Sequence, residues 1–286
     1  MPTTPLLLRI MLVAAKVLAA AVLLLVLANL AGEWRWRRVT AQIRARMPGP
    51  AAGSAGALVE LARASSVPPP VERYLRAVLP LDARPPTVVE FRHSGDFNMG
   101  EESDRWLPFT SSQLVRTSPP AFDWNAHIRL TRGLGVRVHD AYVEREGILR
   151  ASLLGLVDVA HLRDTTALAR GELMRFLAES PWYPWILLPG GDVSWEAVDD
   201  ASADATLTAD GHEVTLRFTF GADSLVATVH AAARDRSVGG VMVPTPWEGR
   251  FWDYALRDGV RVPVAGEVAW LLPEGRKPYW RARLDR

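Results

Sequence analysis

From Thr87 to the C-terminus, apolar residues recur at every second position in one short segment after another. A strand turns such a period into one buried face, because its successive side chains point to opposite sides of the sheet. Phe122, Trp124, Ala126, Ile128 and Leu130 share one side, and Asp123, Asn125, His127 and Arg129 the other. Val214, Leu216, Phe218 and Phe220 repeat the pattern against Glu213, Thr215, Arg217 and Thr219. Val262, Val264, Val268, Trp270 and Leu272 repeat it again, with Gly266 in the row as an expected kink. Weaker alternations fall near 87–97, 105–116, 136–143, 148–157, 193–199, 203–209, 225–233, 250–256 and 279–284. Arg145-Glu146-Gly147, Ala209-Asp210-Gly211, Gly221-Ala222-Asp223 and Arg257-Asp258-Gly259 supply short hairpin connections. The expectation is a mainly β protein of the α+β class. Its long antiparallel meander has to curl into a partial barrel, since so many strands do not stay flat.

One face of such a sheet is apolar and has to be covered. A helix over 57–64 carries Leu58, Leu61 and Ala62 on one side. Pro68-Pro69-Pro70 starts a second, because proline at a helix N-terminus removes an N–H that has no partner there. Its stripe is Val71, Tyr74, Leu75 and Val78. Between 164 and 180 lies the strongest helical pattern, with Asp164 or Thr165 as cap, Ala169, Leu173, Phe176 and Leu177 as buried stripe, and Pro181 as terminator. Helices near 57–79 and 165–188 therefore cover the concave side.

The N-terminal region obeys another rule. Residues 10–31 form an apolar run with Lys16 as its one charge, long enough to cross a ~30 Å hydrocarbon core. Trp34 and Trp36 follow, interleaved with Arg35, Arg37 and Arg38, as a membrane interface requires. A cleaved signal peptide ending near Val26-Leu27-Ala28 is the alternative, although the run exceeds a usual signal core. The division is a tail over 1–9, a single transmembrane anchor over 10–31, a basic juxtamembrane segment and linker over 32–56, and a β-rich domain over 57–286. The small residues of 48–57 carry the linker.

Charge and composition exclude several classes. With 33 basic and 32 acidic residues, the chain has no overall electrostatic footprint for nucleic acid. The absence of cysteine removes disulfides, thiol nucleophiles and Cys-ligated metals or clusters. No nucleophile elbow, P-loop or dinucleotide fingerprint occurs, so no cofactor is expected. The histidines show no metal-binding spacing. His139-Asp140 and His161 with Asp164 are the close His/Asp pairs, and a metal would need ligands gathered from distant strands.

The candidate binding residues cluster around the helix. Glu172 and Glu179 project from one side with Arg175 between them, beside Phe176 on the apolar stripe. As a carboxylate pair at the rim of a cavity they would do acid–base chemistry; as a solvated ladder they are worth a few tenths of a kcal/mol per pair. Trp182, Tyr183 and Trp185 follow between prolines, and Trp195 opens the next strand. These aromatics either line a cavity mouth that holds an acyl chain or pack the core. Ser237–Gly249, almost without charge, reads as an apolar loop that packs over the core or acts as a lid meeting membrane or ligand.

Several strings resemble one family: RWLPFTSSQLVRTSPPAFDWNAHIRL, GELMRFLAESPWYPWILLP, VSWEAVDDASADATL, VTLRFTF and PWEGRFWDYALRDGVRVPVAGEVAWLLPEGRKPYWRARL. They resemble the bacterial DUF6544 proteins, formerly DUF6920, of unknown function, over about residues 70–285. The β-rich plan is also similar to the curved sheet and helices of the LolA/LolB lipoprotein carriers, though the lipid-attached cysteine of LolB-like proteins is missing here. The resemblance adds no activity. The function expected is a membrane-anchored, non-catalytic binder of a lipid or acylated cargo, in a cavity of several hundred Å³ between sheet and helices. Its partners are the bilayer and that ligand. An enzyme using Glu172 and Glu179, and a scaffold for another membrane protein, are the alternatives. Flanking arginines favour a cytoplasmic domain and the LolA-like plan an extracytoplasmic one.

Overall fold

The structure, a computed structural model, describes residues 6–47, 49, 67–80, 85–101, 103–163, 165–239 and 241–285. The helix expected over 57–64, the linker apart from Gly49, and Asp164 lie outside the described residues.

Thirteen strands form one open antiparallel sheet. The first half comprises β1 (Val88–Asn98), β2 (Trp106–Arg116), β3 (Ala121–Thr131), β4 (Leu134–Val143), β5 (Glu146–Leu153) and β6 (Val157–Arg163). The second comprises β7 (Val193–Asp199), β8 (Ser202–Ala209), β9 (His212–Phe220), β10 (Val226–Val238), β11 (Val241–Arg257), β12 (Val260–Leu272) and β13 (Gly275–Leu284). Each half is a meander: the first steps outward from the centre to one edge, and the second steps inward from the opposite edge to the centre. β1 pairs with β13 at the centre, while β6 and β7 are the two edges.

That order makes the helical cover obligatory. To pass from β6 to β7 the chain has to travel from one edge of the sheet to the other, and it does so across the concave face. The crossing consists of α3 (Thr166–Ala178) and two short 3-10 turns, Ser180–Trp182 and Pro184–Leu187. The Thr165 side chain caps α3 by accepting from the Leu168 N–H at 3.2 Å. α3 touches β4 and β5 of one half and β9 and β10 of the other, so the sheet curls around it. Ala169, Leu173, Phe176 and Leu177 are buried as their spacing predicts. The preceding helix, α2 (Pro69–Val78), buries Val71, Tyr74, Leu75 and Val78 against the same core. Each such side chain contributes about 1.5–3 kcal/mol of transfer free energy.

The N-terminal helix, α1 (Leu6–Ala45), does not end where its apolar run ends. Its first part is exposed and is long and apolar enough to cross a membrane by length and composition. Its last part is amphipathic. Gly32, Trp36, Val39 and Ile43 form a buried stripe on the convex face of the sheet, against Ala121, Ala141, Val143 and Ile148. The side of β3 expected to face water is therefore the seat of a helix. Trp36 stacks on His139 with centroids 4.5 Å apart and donates to Asn125 Oδ1 at 2.8 Å. His139 lies between Thr40 Oγ1 at 3.0 Å and Asp123 Oδ1 at 2.6 Å, and Arg44 Nε donates to Asp123 Oδ2 at 2.7 Å. Both His139 and Asp123 are fully buried, so this Thr-His-Asp chain is a clamp closed to solvent at its centre. Asn29 donates to the Gly133 carbonyl between β3 and β4, and Arg35 to the Gly155 carbonyl between β5 and β6. Arg46 pairs with Glu144 and Glu146 at the other end. α1 thus lies along the strands and leaves the sheet at the β3–β4 and β5–β6 turns.

Three local expectations change. The stretch 148–157 is not one strand, because Leu154 and Gly155 turn the chain from β5 into β6. Gly266 is not a kink: it pairs in register with Phe251 and Ala282, and the bulge falls at Val268/Ala269. Its lack of a side chain leaves room for Trp182, whose Cζ2 would lie 3.4 Å from a Cβ there. The apolar segment 237–249 is not a loop: it belongs to the β10–β11 hairpin, whose tip is paired from Arg234↔Thr245 to Val238↔Val241.

Candidate functional site

Among the described residues, the recesses between the concave face and its helical cover include three of note. One is a pocket of about 110 Å³ walled by Phe97, Trp124, Trp182, Trp247, Phe251 and Trp280, with Asp140, Arg175, Glu179, Arg234 and Glu267 supplying charge. A cleft of about 440 Å³ runs past Phe91, Trp182, Trp185 and Val262, and another of about 490 Å³ past Phe176, Trp185, Ile186 and Leu207. The space expected in one piece is therefore divided. The part beside the predicted ion pairs is small, and the larger volumes lie toward the opposite strand ends. Trp182 borders both the pocket and the first cleft, held there by donating from Nε1 to the Pro263 carbonyl at 3.0 Å.

Arg175 organises the charged floor. It projects from α3 and pairs with Asp140 at 2.5 Å and Glu179 at 2.7 Å. Its guanidinium also sits 4.8 Å from the Trp124 ring centroid. Gln113 donates to the second Glu179 oxygen at 2.5 Å. Burial alone would lower the Arg175 pKa, but the carboxylates of Glu179 and Asp140 outweigh it and hold the group charged. Arg234 lies 5.4 Å from the Trp247 centroid, and among the described residues no carboxylate stands within salt-bridge distance of it.

The eight predicted residues separate. Arg175, Glu179 and Trp182 line the pocket; Trp185 and Phe176 line clefts. Tyr183 is fully buried, its hydroxyl donating to the Phe176 carbonyl at 2.7 Å. Trp195 lines none of the three recesses; it packs on Phe218 and donates to the Leu187 carbonyl. Glu172 is 4% exposed and is not among the residues lining the pocket. Burial first, and the neighbouring Asp140 second, push its pKa well above the usual carboxylate range. The carboxyl that Glu172 faces is thus Asp140, not Glu179.

Asp140 was within reach of the sequence as half of a His/Asp pair, but adjacent strand residues point to opposite faces. Asp140 faces Arg175 inside, and His139 faces α1 outside. Among the described residues no group of three or more His, Asp or Glu side chains stands together as a metal site.

Because burial and the neighbouring Asp140 push the Glu172 pKa up, Glu172→Gln is expected to keep the fold. A pKa raised in the folded state costs stability as pH rises from about 4.5 through the folded value. Chemical denaturation from pH 4 to 9 should therefore show the variant gaining on wild type as pH rises. A uniform loss at every pH would instead mean that an ionised Glu172 is paired to Arg175.

The architecture is that of an open, curled antiparallel sheet whose concave face is bridged by a helical crossover. The chain belongs to the DUF6920 family of unknown function, whose pattern matches residues 65–286. No curated protein matches it. A solved structure, that of a LolA superfamily protein from Nitrosomonas europaea, is similar at 12% identity, covering 76% of this chain and 90% of that one with a TM-score of 0.39.

Proposed function

We propose that this protein is a membrane-tethered binder of an amphipathic molecule, a lipid or an acylated cargo. The observation that carries the reading is the aromatic pocket with Arg234 in its wall, a cation over Trp247 that makes no direct ion pair among the described residues. Four tryptophans offer apolar surface to a chain, and Arg234 offers charge to an anionic head. The exposed apolar part of α1 supports membrane attachment, and its unbroken continuation into the docked half supports an anchor that stays on the domain. The pocket alone holds only a short piece of an acyl chain. Movement of Trp182, which separates it from the 440 Å³ cleft, would join the two spaces. An acid–base role has one observation in its favour, the raised pKa of Glu172 beside Asp140, but Glu172 is not among the residues lining the pocket.

Native mass spectrometry of detergent-extracted full-length protein tests the reading by searching for co-purified lipid. Gly266→Leu is designed to fill the pocket, since a Cβ there already meets Trp182 and the Arg250 carbonyl. Lipid on wild type, reduced at least about tenfold in the variant, is the expected result, equivalent to about 1.4 kcal/mol or more. Wild type that carries no lipid would sink the proposal.

A further inference from the structure

We infer that the tip of the β10–β11 hairpin is a second membrane contact, placing Val238, Val241, Met242 and Val243 in the same bilayer that α1 spans. The inference rests on the membrane reading above and deepens it by fixing which end of the sheet meets lipid.

Strand register supplies the geometry. The β3–β4 turn, the β5–β6 turn and the β10–β11 tip all lie at one end of the strands. α1 leaves the domain at that end, held by Asn29 to the Gly133 carbonyl and by Arg35 to the Gly155 carbonyl. The helix and the hairpin therefore project in the same direction from the sheet.

The hairpin also outruns its neighbours. β11 pairs with β12 from Trp247 to Arg257. From Thr245 to Val241 its pairing among the described residues is with β10 alone. Pro244 and Pro246 fall in or beside this stretch, where a missing N–H on the open side breaks no ladder bond. At ~3.4 Å per residue, the two-stranded tip extends roughly 14 Å past Thr245.

The chemistry of the tip selects its occupant. Val238, Val241, Met242 and Val243 are 43%, 64%, 44% and 40% exposed. Successive strand residues face opposite ways, so Val241 and Val243 lie on one side and Met242 on the other. A protein partner docking on a sheet needs one apolar face, whereas insertion into hydrocarbon needs both. No charged residue occurs from Ser237 to Trp247, and Asp235 and Arg236 sit just behind the tip, at the level of headgroups. Arg234 and Trp247, at the base of the same hairpin, line the aromatic pocket. Insertion of the tip thus sets the pocket close to the lipid surface.

The cysteine-free chain allows a direct test. Met242→Cys, Leu23→Cys and Asp200→Cys variants of the full-length protein, each carrying an NBD fluorophore, are reconstituted into phosphatidylethanolamine–phosphatidylglycerol vesicles with or without doxyl-labelled lipid. Leu23 reports on α1, and Asp200 on the opposite end of the sheet, in the β7–β8 turn. Expected is quenching at Met242→Cys comparable to that at Leu23→Cys and several-fold above Asp200→Cys. Quenching at Leu23→Cys alone overturns the inference and leaves the membrane reading standing. Absence of quenching at both overturns both. A blue shift at Met242→Cys without lipid quenching means the tip is buried in protein, and also overturns the inference. Val241→Asp with Met242→Asp, at exposed positions that leave the circular dichroism unchanged, should abolish quenching of a probe at Val238→Cys.

Discussion

Trp36→Ala is expected to detach the lower half of α1 from the sheet and to lower stability by about 3–5 kcal/mol. Trp36 is 1% exposed, stacks on His139 and donates to Asn125. Truncation opens a cavity on the convex face and leaves the Asn125 oxygen without its donor. It also uncovers the Asp123–His139 pair, whose burial depends on the indole. Two measurements check this: a denaturation midpoint, and amide hydrogen exchange over 32–46, which should rise towards that of a free helix. Trp34→Ala, at a 59% exposed neighbour lying under Arg38, should change neither. Equal and small effects of the two substitutions would show that the docked half contributes little.

The second large effect is a response to acid. His93 is 1% exposed, packed among Phe91, Trp182 and Trp280, and among the described residues neither ring nitrogen has a hydrogen-bond partner. Burial first, then the positive charge of Arg175, lowers its pKa to about 3. The folded state therefore keeps the ring neutral where the unfolded chain, titrating near 6.5, takes up a proton. Stability contributed above about pH 6.5 is lost as pH falls towards 3, at up to about 1.4 kcal/mol per pH unit. Unfolding free energies measured between pH 7 and 4 should decline more steeply in wild type than in His93→Leu, which cannot take up that proton. Parallel profiles would mean that His93 is protonated in the fold or open to water. Since His93 rests against Trp182, the acid response would reach the partition between pocket and cleft.

Period-two patterning was enough to place most strands, and helical stripes placed α2 and α3, because in both cases local periodicity and tertiary burial agree. What local pattern cannot carry is long-range pairing. Nothing in the alternation of Phe91 or Trp280 says that β1 meets β13, which turns one meander into two and makes the α3 crossover span the sheet. The docking of α1 did leave a trace, since Gly32, Trp36, Val39, Ile43 and Met47 recur at helical spacing. The interleaved arginines obscured it by also satisfying the pattern of a membrane boundary. At the site, Arg175, Glu179 and Trp182 were legible on the crossover. Trp247, Trp280 and Arg234 were not, because they come from strands far apart in sequence that converge only when the sheet curls. Glu172 was paired with Glu179 by helical spacing alone, and β4 then supplied a nearer carboxyl in Asp140.

The continuity of α1 has a mechanical consequence. From Leu6 to Ala45 the helix contains no proline, and its one interior glycine after the apolar run, Gly32, is pinned where any Cβ would strike the Leu154 carbonyl. The domain consequently has no swivel at its base. Whatever inclination the first turns adopt is transmitted, like the angle of a mast to its hull, to all thirteen strands. If α1 spans a bilayer as proposed, its tilt, to which bilayer thickness contributes, would carry over to the whole sheet.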